Sequence, residues 1–277
     1  MAGCLSISLV IFHPDETLLE KTLESLFLAA NKAKSMKCID DFHLIIVDNS
    51  LITESNLTFA DSALFRLIKA IWTERIDLLQ SPVNLGYGAG HNQAIKKRCA
   101  HYHLVINPDV IVAEDALVEA VHYLQRQPQV GLVTPLCFRP DGQQEYLCKA
   151  YPSVMVLLLR GFAPKWLKQY FQAQLAAYEL SHQDNNIRND VLIASGCFMF
   201  FRQQAIQAVN GFCEQFFLYF EDFDLSLRLL PSWQIAFVPQ VRIIHHGGHS
   251  AKKGLKHISL FIRSAGLFFN RHGWRFW

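Results

Sequence analysis

Apolar and polar positions along the chain switch between two periods, and the switches predict the order of elements. Residues 5–12 (Leu5-Ser6-Ile7-Ser8-Leu9-Val10-Ile11-Phe12) alternate and then run apolar, as in a strand entering a buried sheet. His13-Pro14-Asp15 breaks the run, and Leu18, Leu19, Leu23, Leu26, Phe27 and Ala30 follow at helical spacing. Residues 42–47 form a second strand pattern ending on Asp48-Asn49-Ser50. A further helix and a short strand near 76–79 lead to a glycine loop, after which a helix is expected from Gln93 onward. Residues 104–106 predict a strand that stops at Asn107-Pro108-Asp109. A helical stretch begins near Glu114, and 130–134 reads as another strand.

Strands alternating with helices predict an α/β fold with a mostly parallel sheet. Ligands of such sheets bind beyond the carboxyl ends of the strands, where Asp48, Asp109 and the glycine loop all fall. The second half changes character. Residues 153–180 are apolar and aromatic, with helical spacing in their later part. Residues 190–201 read as one long strand containing Ser195-Gly196, and 234–239 and 241–244 as two short ones. No internal repeat or low-complexity linker divides the chain, so one domain is expected.

The most informative stretch is Phe217-Leu218-Tyr219-Phe220-Glu221-Asp222-Phe223-Asp224-Leu225-Ser226-Leu227-Arg228. An aromatic run delivers three acids to the first turn of a predicted helix. Acids there complement the helix dipole whatever else they do. Three of them behind large aromatics also invite desolvation, which raises a carboxyl pKa toward the range useful for proton transfer. Asp224 and Arg228 have the i,i+4 spacing of a structural ion pair.

Composition narrows the class. Of 277 residues 51% are hydrophobic and only 18% charged, enough for a substantial core, and the net charge of +2 implies no partner. Seven scattered cysteines without a Cys-x-x-Cys pair indicate neither a disulfide framework nor a zinc site, so a reducing compartment is expected. No Lys or Arg precedes Lys21, so the amino terminus lacks the basic region of a signal peptide. The tightest aliphatic run, 154–159, is too short to cross a bilayer. These features predict a cytoplasmic protein.

Asn84-Leu85-Gly86-Tyr87-Gly88-Ala89-Gly90-His91-Asn92 is a glycine-rich turn before a helix, a place where backbone amides approach phosphate. A dinucleotide fingerprint is the rival reading. Against it, His91 stands where the final glycine belongs, and the loop follows a later strand, not the first. Asp109 alone is chemically sufficient for magnesium or manganese, which need only one or two protein carboxylates when they bridge phosphates. His245, His246 and His249 lie among Gly247, Gly248 and Ser250, and one of the first two could ligate a metal.

The ordered set resembles family 2 glycosyltransferases of the GT-A fold, and more closely the bacterial rhamnosyltransferase-like branch. It comprises strand 7–12, Val47-Asp48-Asn49-Ser50, Asn84 to Asn92, Asn107-Pro108-Asp109-Val110, Ser195-Gly196, Gly211-Phe212, the stretch from Phe217 to Arg228, and His245 to Ser250. The resemblance implies a Rossmann-like sheet flanked by helices, a GT-A domain over 1–250 with a nucleotide-binding half (about 1–112) and an acceptor half (113–250), and a C-terminal helical tail. It implies that Asp48 holds the base or ribose. Asn84, Gly86, Tyr87, Gly88, Gly90, Asn92 and Asn107 would line the nucleotide pocket, and Asp109 and His245 would hold Mg2+ or Mn2+. Asp222 would be the general base, with Glu221 orienting the acceptor. Asn107 replaces the first acid of the family's Asp-x-Asp motif, and Cys213 stands where many relatives carry aspartate.

The activity so implied is inverting transfer of a sugar from a nucleoside-diphosphate donor, dTDP-L-rhamnose first, to a saccharide or lipid-linked saccharide acceptor in cell-envelope polysaccharide synthesis. A UDP-sugar transferase and a non-catalytic nucleotide-binding module are the alternatives. The tail, 251–277, has no acid and six cations (Lys252, Lys253, Lys256, Arg263, Arg271, Arg275) interleaved with aromatics. Such a segment either contacts an anionic membrane surface or packs its apolar side on the domain. Nothing in the chain supports nucleic-acid binding.

Overall fold

A computed structural model describes residues 3–50, 58–98, 100–181, 184–247 and 254–277. The first half alternates as the periods predict: β1 (Gly3–Ile11), α1 (Glu16–Ser35), β2 (Ile39–Asp48), α2 (Ala63–Trp72), β3 (Ile76–Gln80), α3 (Tyr87–Lys97) and β4 (Tyr102–Ile106). Then come β5 (Val110–Val112), α4 (Ala116–Arg126), β6 (Val130–Phe138), β7 (Gln144–Glu145), β8 (Cys148–Lys149), α5 (Val154–Phe162), α6 (Lys165–Tyr170) and α7 (Gln172–Glu179). The chain finishes with β9 (Ile193–Ala194), β10 (Phe198–Arg202), α8 (Gln203–Ala208), α9 (Glu221–Leu229), β11 (Gln234–His245) and α10 (Leu255–His272).

The main sheet has the order β3-β2-β1-β4-β10-β6-β11-β5, with β7 added beside β6. The pairs β3–β2, β2–β1, β1–β4 and β6–β11 are parallel, while β10, β5 and β7 run antiparallel to their neighbours. The mostly parallel sheet is therefore present. Helices cover both faces because alternate strand residues are apolar on both. Leu5, Ile7 and Leu9 pack with α1, α2 and α4, whereas Val105, Met199 and Phe201 pack with α3, α8 and α9. Side chains terminate the helices as the sequence allows: Asp15 accepts from the amide of Leu18 (3.0 Å) at α1, and Ser62 from that of Phe65 (3.0 Å) at α2.

Three local expectations change, and one strand is added. The strand over 190–201 is two: β9 pairs with β8, β10 with β4 and β6, and Ser195-Gly196-Cys197 crosses between them. The two strands over 234–244 are one, β11, whose register on β6 shifts between Val238 and Arg242, around Pro239, which has no amide to give. The helix after the glycine loop begins at Tyr87 rather than Gln93, and the apolar triplet Val110–Val112 forms an edge strand against β11.

The tail is not a separate appendage. Phe268 and Phe269 of α10 are buried in a cluster with Leu157 of α5 and with Phe216 and Phe220, so its packing alternative holds for that side. Lys252, Lys253 and the side chain of Lys256 lie outside the described residues, as do Gly248, His249 and Ser250. Among the described residues no helix is long and apolar enough to cross a membrane.

Candidate active site

Parallel register brings the carboxyl ends of β1, β2 and β4 together, with Ile11 opposite Asp48 and Leu9 opposite Ile106. The residues that leave those ends wall a cavity of about 640 Å³. Its lining includes Asn49, Asn84, Gly86, Tyr87, Asn107, Asp109, Ser195, Gly196, Glu221, Asp222 and His245. Eight of the twelve residues read from the sequence thus meet there.

The other four are placed differently. Gly88 and Gly90 lie inside α3, where an added Cβ would come within 2.8 Å of Phe212 and of Val10 respectively, so their smallness serves helix packing. Asn92 is buried and bonds the amide and carbonyl of Phe212 (both 2.9 Å) and the Glu214 carboxylate (3.0 Å). Asp48, buried, accepts from the amide of Ser50 (2.9 Å) in a turn, and only its neighbour Asn49 reaches the cavity.

The glycine that approach does require is Gly86. Its φ is +87°, and a Cβ there would lie 2.2 Å from the carbonyl oxygen of Phe217. The same carbonyl accepts from the amide of Tyr87 (3.1 Å), and Asn49 donates to the carbonyl of Gly86 (2.9 Å). The glycine loop therefore clamps the aromatic run, whose last two residues, Tyr219 and Phe220, both hold positive φ (71° and 66°). Two consecutive left-handed aromatics cost energy that only surrounding contacts sustain, and here they aim the start of α9 into the cavity.

Asp222 accepts from the amides of Gly196 (2.8 Å) and Phe223 (3.0 Å). Burial raises its pKa and those amides pull it back. Glu221 has weaker compensation: burial first, then the Asp222 charge, push it well up, and its Oε2 finds no partner among the described residues. Two adjacent carboxyls with such different support cannot both ionise readily. Both are pushed up by burial, and Asp222, with its backbone amides, is better supported as a carboxylate than Glu221, which is held higher. Tyr87 closes this corner by donating its hydroxyl to the carbonyl of Gly196 (2.5 Å).

In the same cavity Nε2 of His245 stands 3.4 Å from Oδ1 of Asp109, and its Nδ1 stands 2.9 Å from Oε2 of Glu145. Burial alone would lower the imidazole pKa, but the two carboxylates raise it to about 9. Glu145 was not singled out in the sequence, since one acid a hundred positions from its partner carries no spacing signal. The pairing of β7 with β6 brings it in, together with Cys137, whose sulfur lies within 4.8 Å of the nearest ligand atoms of Glu145 and His245. Burial and then Glu145 push the Cys137 thiol up to about 12, so it is a poor ligand at neutral pH.

The residues fit a hard divalent cation. Among the described residues the buried Oδ1 of Asn107 has no hydrogen-bond partner and the buried Oδ1 of Asp109 meets only the His245 imidazole at 3.4 Å, and amide and carboxylate oxygens with an imidazole nitrogen are donors that magnesium or manganese accepts. Glu145 on the far ring nitrogen would hold the tautomer that points Nε2 at the metal.

Comparison with known proteins gives the family and the fold. Residues 42–258 match the profile described as "Glycosyltransferase like family 2". The chain is 29% identical over 220 residues to an N-acetylglucosaminyl-diphospho-decaprenol L-rhamnosyltransferase of Mycobacterium tuberculosis, covering 72% of this chain and 69% of that one. It is 27% identical over 257 residues to the rhamnosyltransferase WbbL of Escherichia coli (strain K12), covering 87% and 83%. Among solved structures, GalNAc-T7 with UDP, GalNAc and Mn2+ superposes with a TM-score of 0.62 at 13% identity over 88% of this chain and 43% of that one. A mannosyltransferase from Pyrobaculum calidifontis with GDP-Man and Mn2+ superposes with a TM-score of 0.61 at 15% identity, over 96% and 61%. This chain thus spans about half the length of those two, and at such identity they establish the GT-A fold alone.

Proposed function

The chain belongs to glycosyltransferase-like family 2, and from that premise we propose that it is an inverting rhamnosyltransferase of cell-envelope polysaccharide synthesis. The donor would be dTDP-L-rhamnose and the acceptor a lipid-linked saccharide. The names of the two rhamnosyltransferase relatives support the sugar, and the decaprenol of the first supports the lipid carrier. The observation that carries the reading is that Asp222, Asp109 and His245 line one cavity together.

Asn84, Gly86, Tyr87 and Asn107 would border the nucleotide, with Asp48 behind Asn49 at the lip. Asp109 and His245 would hold Mg2+ or Mn2+, which would neutralise charge on the departing diphosphate. Asp222 would take the proton of the acceptor hydroxyl as its oxygen bonds to the anomeric carbon and the diphosphate leaves from the opposite face. That single displacement inverts the anomeric configuration. The protonated Glu221 would donate to the acceptor and orient it.

Calorimetric titration with dTDP and with UDP, each with Mg2+, with Mn2+ and with EDTA, tests the site. Transfer assays with dTDP-L-rhamnose and UDP-sugars then test the donor. Cation-dependent dTDP binding with rhamnosyl transfer is expected. Preference for UDP would move the donor, and failure to bind either nucleotide would overturn the reading.

A further inference from the structure

From Ala150 to Tyr178 the chain contains no acid and carries Arg160, Lys165 and Lys168, and from 251 to 277 it again has none. The fold joins these distant segments. The amides of Val154 and Met155, opening α5, donate to the carbonyls of Arg275 (2.8 Å) and Phe276 (3.1 Å). A shallow groove of about 640 Å³ runs between α5, α6 and the last two residues. Its surroundings are strongly apolar yet uncovered: Leu158, Phe162 and Phe276 are more than half exposed, Trp166 is 68% and Trp277 82% exposed. Tryptophans and phenylalanines cost free energy in water unless something apolar receives them.

The charges around the groove say what receives them. Arg160 and Lys149 share Glu179 (3.3 and 4.0 Å), whereas Lys165 and Lys168 have no carboxylate in ion-pair range among the described residues. A protein partner with an apolar ridge would be matched by the aromatics alone. A bilayer with anionic headgroups matches both features, because aromatic side chains settle at headgroup depth while lysines beside them meet the surface charge.

We propose that the α5–α6 face, with the paired C-terminal Phe276 and Trp277, docks this protein on an anionic membrane surface. The face is also close to the chemistry. Leu157, on the same helix, packs in one cluster with Phe220 and Phe223, which flank Glu221 and Asp222. A substrate anchored in the docked bilayer would be held near the cavity wall that carries Asp222.

Flotation of the full chain with vesicles of phosphatidylcholine, alone or with phosphatidylglycerol, tests the face without donor or acceptor, so failure leaves the transferase reading untouched. Binding only to the phosphatidylglycerol vesicles is expected. Lys165→Gln with Lys168→Gln should weaken it about thirtyfold, and Phe162→Ser with Trp166→Ser should abolish it. Phe162, Lys165 and Trp166 are exposed, Lys168 is half-buried and donates to the carbonyl of Arg160 (2.8 Å), and matched circular dichroism and melting curves will show that the fold is kept. If the parent chain does not float, or both variants float as it does, the proposal is wrong. A concentration-dependent dimer that Trp166→Ser dissolves, without flotation, would give the face to a second copy of the chain.

Discussion

Asp222 and Asp224 stand two positions apart in the first turn of α9, and their surroundings could hardly differ more. Asp224 is fully buried and enclosed by two guanidinium groups and an imidazole: Nε of Arg228 at 2.7 Å, Nε2 of His272 at 2.9 Å and Nε of Arg271 at 3.5 Å. Asp222 lines the cavity and, among the described residues, receives only backbone amides. An acid closed off by cations holds structure together, whereas an acid held by neutral donors keeps a lone pair for a substrate. The contrast repeats farther away. Ser8, His91 and His103 form a sealed network, with the Ser8 hydroxyl 2.7 Å from Nδ1 of His91 and 2.9 Å from Nε2 of His103. His245, by contrast, sits on the cavity wall between two carboxylates.

The sharpest way to break this comparison is Asp222→Asn. It should leave melting temperature and nucleotide affinity near the parent values while turnover falls by about two to four orders of magnitude. Turnover close to the parent's would take the base role away from Asp222.

Asp224→Asn should do the reverse. Removing one partner of a buried pair costs about 3–5 kcal/mol. The lower end applies here, because Arg228 keeps its bonds to the carbonyls of Val209 and Gly211 and is partly exposed. The urea midpoint should drop accordingly, with turnover per folded molecule preserved. Unchanged stability with lost turnover would place Asp224 in the chemistry and erase the distinction.

Glu145→Gln tests whether the second wall depends on support from behind. Losing the carboxylate that fixes the imidazole of His245 should weaken Mn2+ binding about 10- to 100-fold, read by calorimetry with nucleotide present. Unaltered affinity would reduce Glu145 to a surface acid that happens to be near.

The most gradual effect concerns the sealed histidines. Burial lowers the pKa of His103 to about 3 and holds that of His91 well below its ordinary value. The unfolded chain binds these protons from about pH 6.5 downward and the native chain does not. Stability is therefore fully present above pH 6.5 and falls as the pH drops, by about 1.4 kcal/mol per pH unit for each histidine, down to about pH 3 for His103. Urea midpoints between pH 7 and 5 should show this slope, and His103→Phe should roughly halve it. No change of slope would mean that His103 is solvated.

Much of this was readable in one dimension. Alternation and helical spacing are set by which face each residue must bury, so the order of strands and helices followed from the chain, as did the placing of Asp48 and Asp109 at strand ends. Asp222 stood out because aromatics crowd it, and the Asp224–Arg228 pair because helix geometry fixes neighbours four apart. The sequence paired Asp224 with Arg228 but could not show how fully that acid is closed off, since Arg271 and His272 arrive from a helix nearly fifty residues later. Nor could it show that Gly88 and Gly90 serve packing while Gly86 serves approach, because that depends on Phe212, Val10 and Phe217 coming from elsewhere.

Glu145 and the α5–α6 face are the clearest cases of what tertiary structure alone decided. Periodicity is a local signal, created by a backbone that repeats every two or 3.6 residues. Contacts between Glu145 and His245, or between Val154 and Arg275, depend on how elements fold back on one another. Local pattern therefore determined the layers and the rim of this protein. The pairing of strands and the docking of the last helix determined which of its polar groups are sealed and which are left to act.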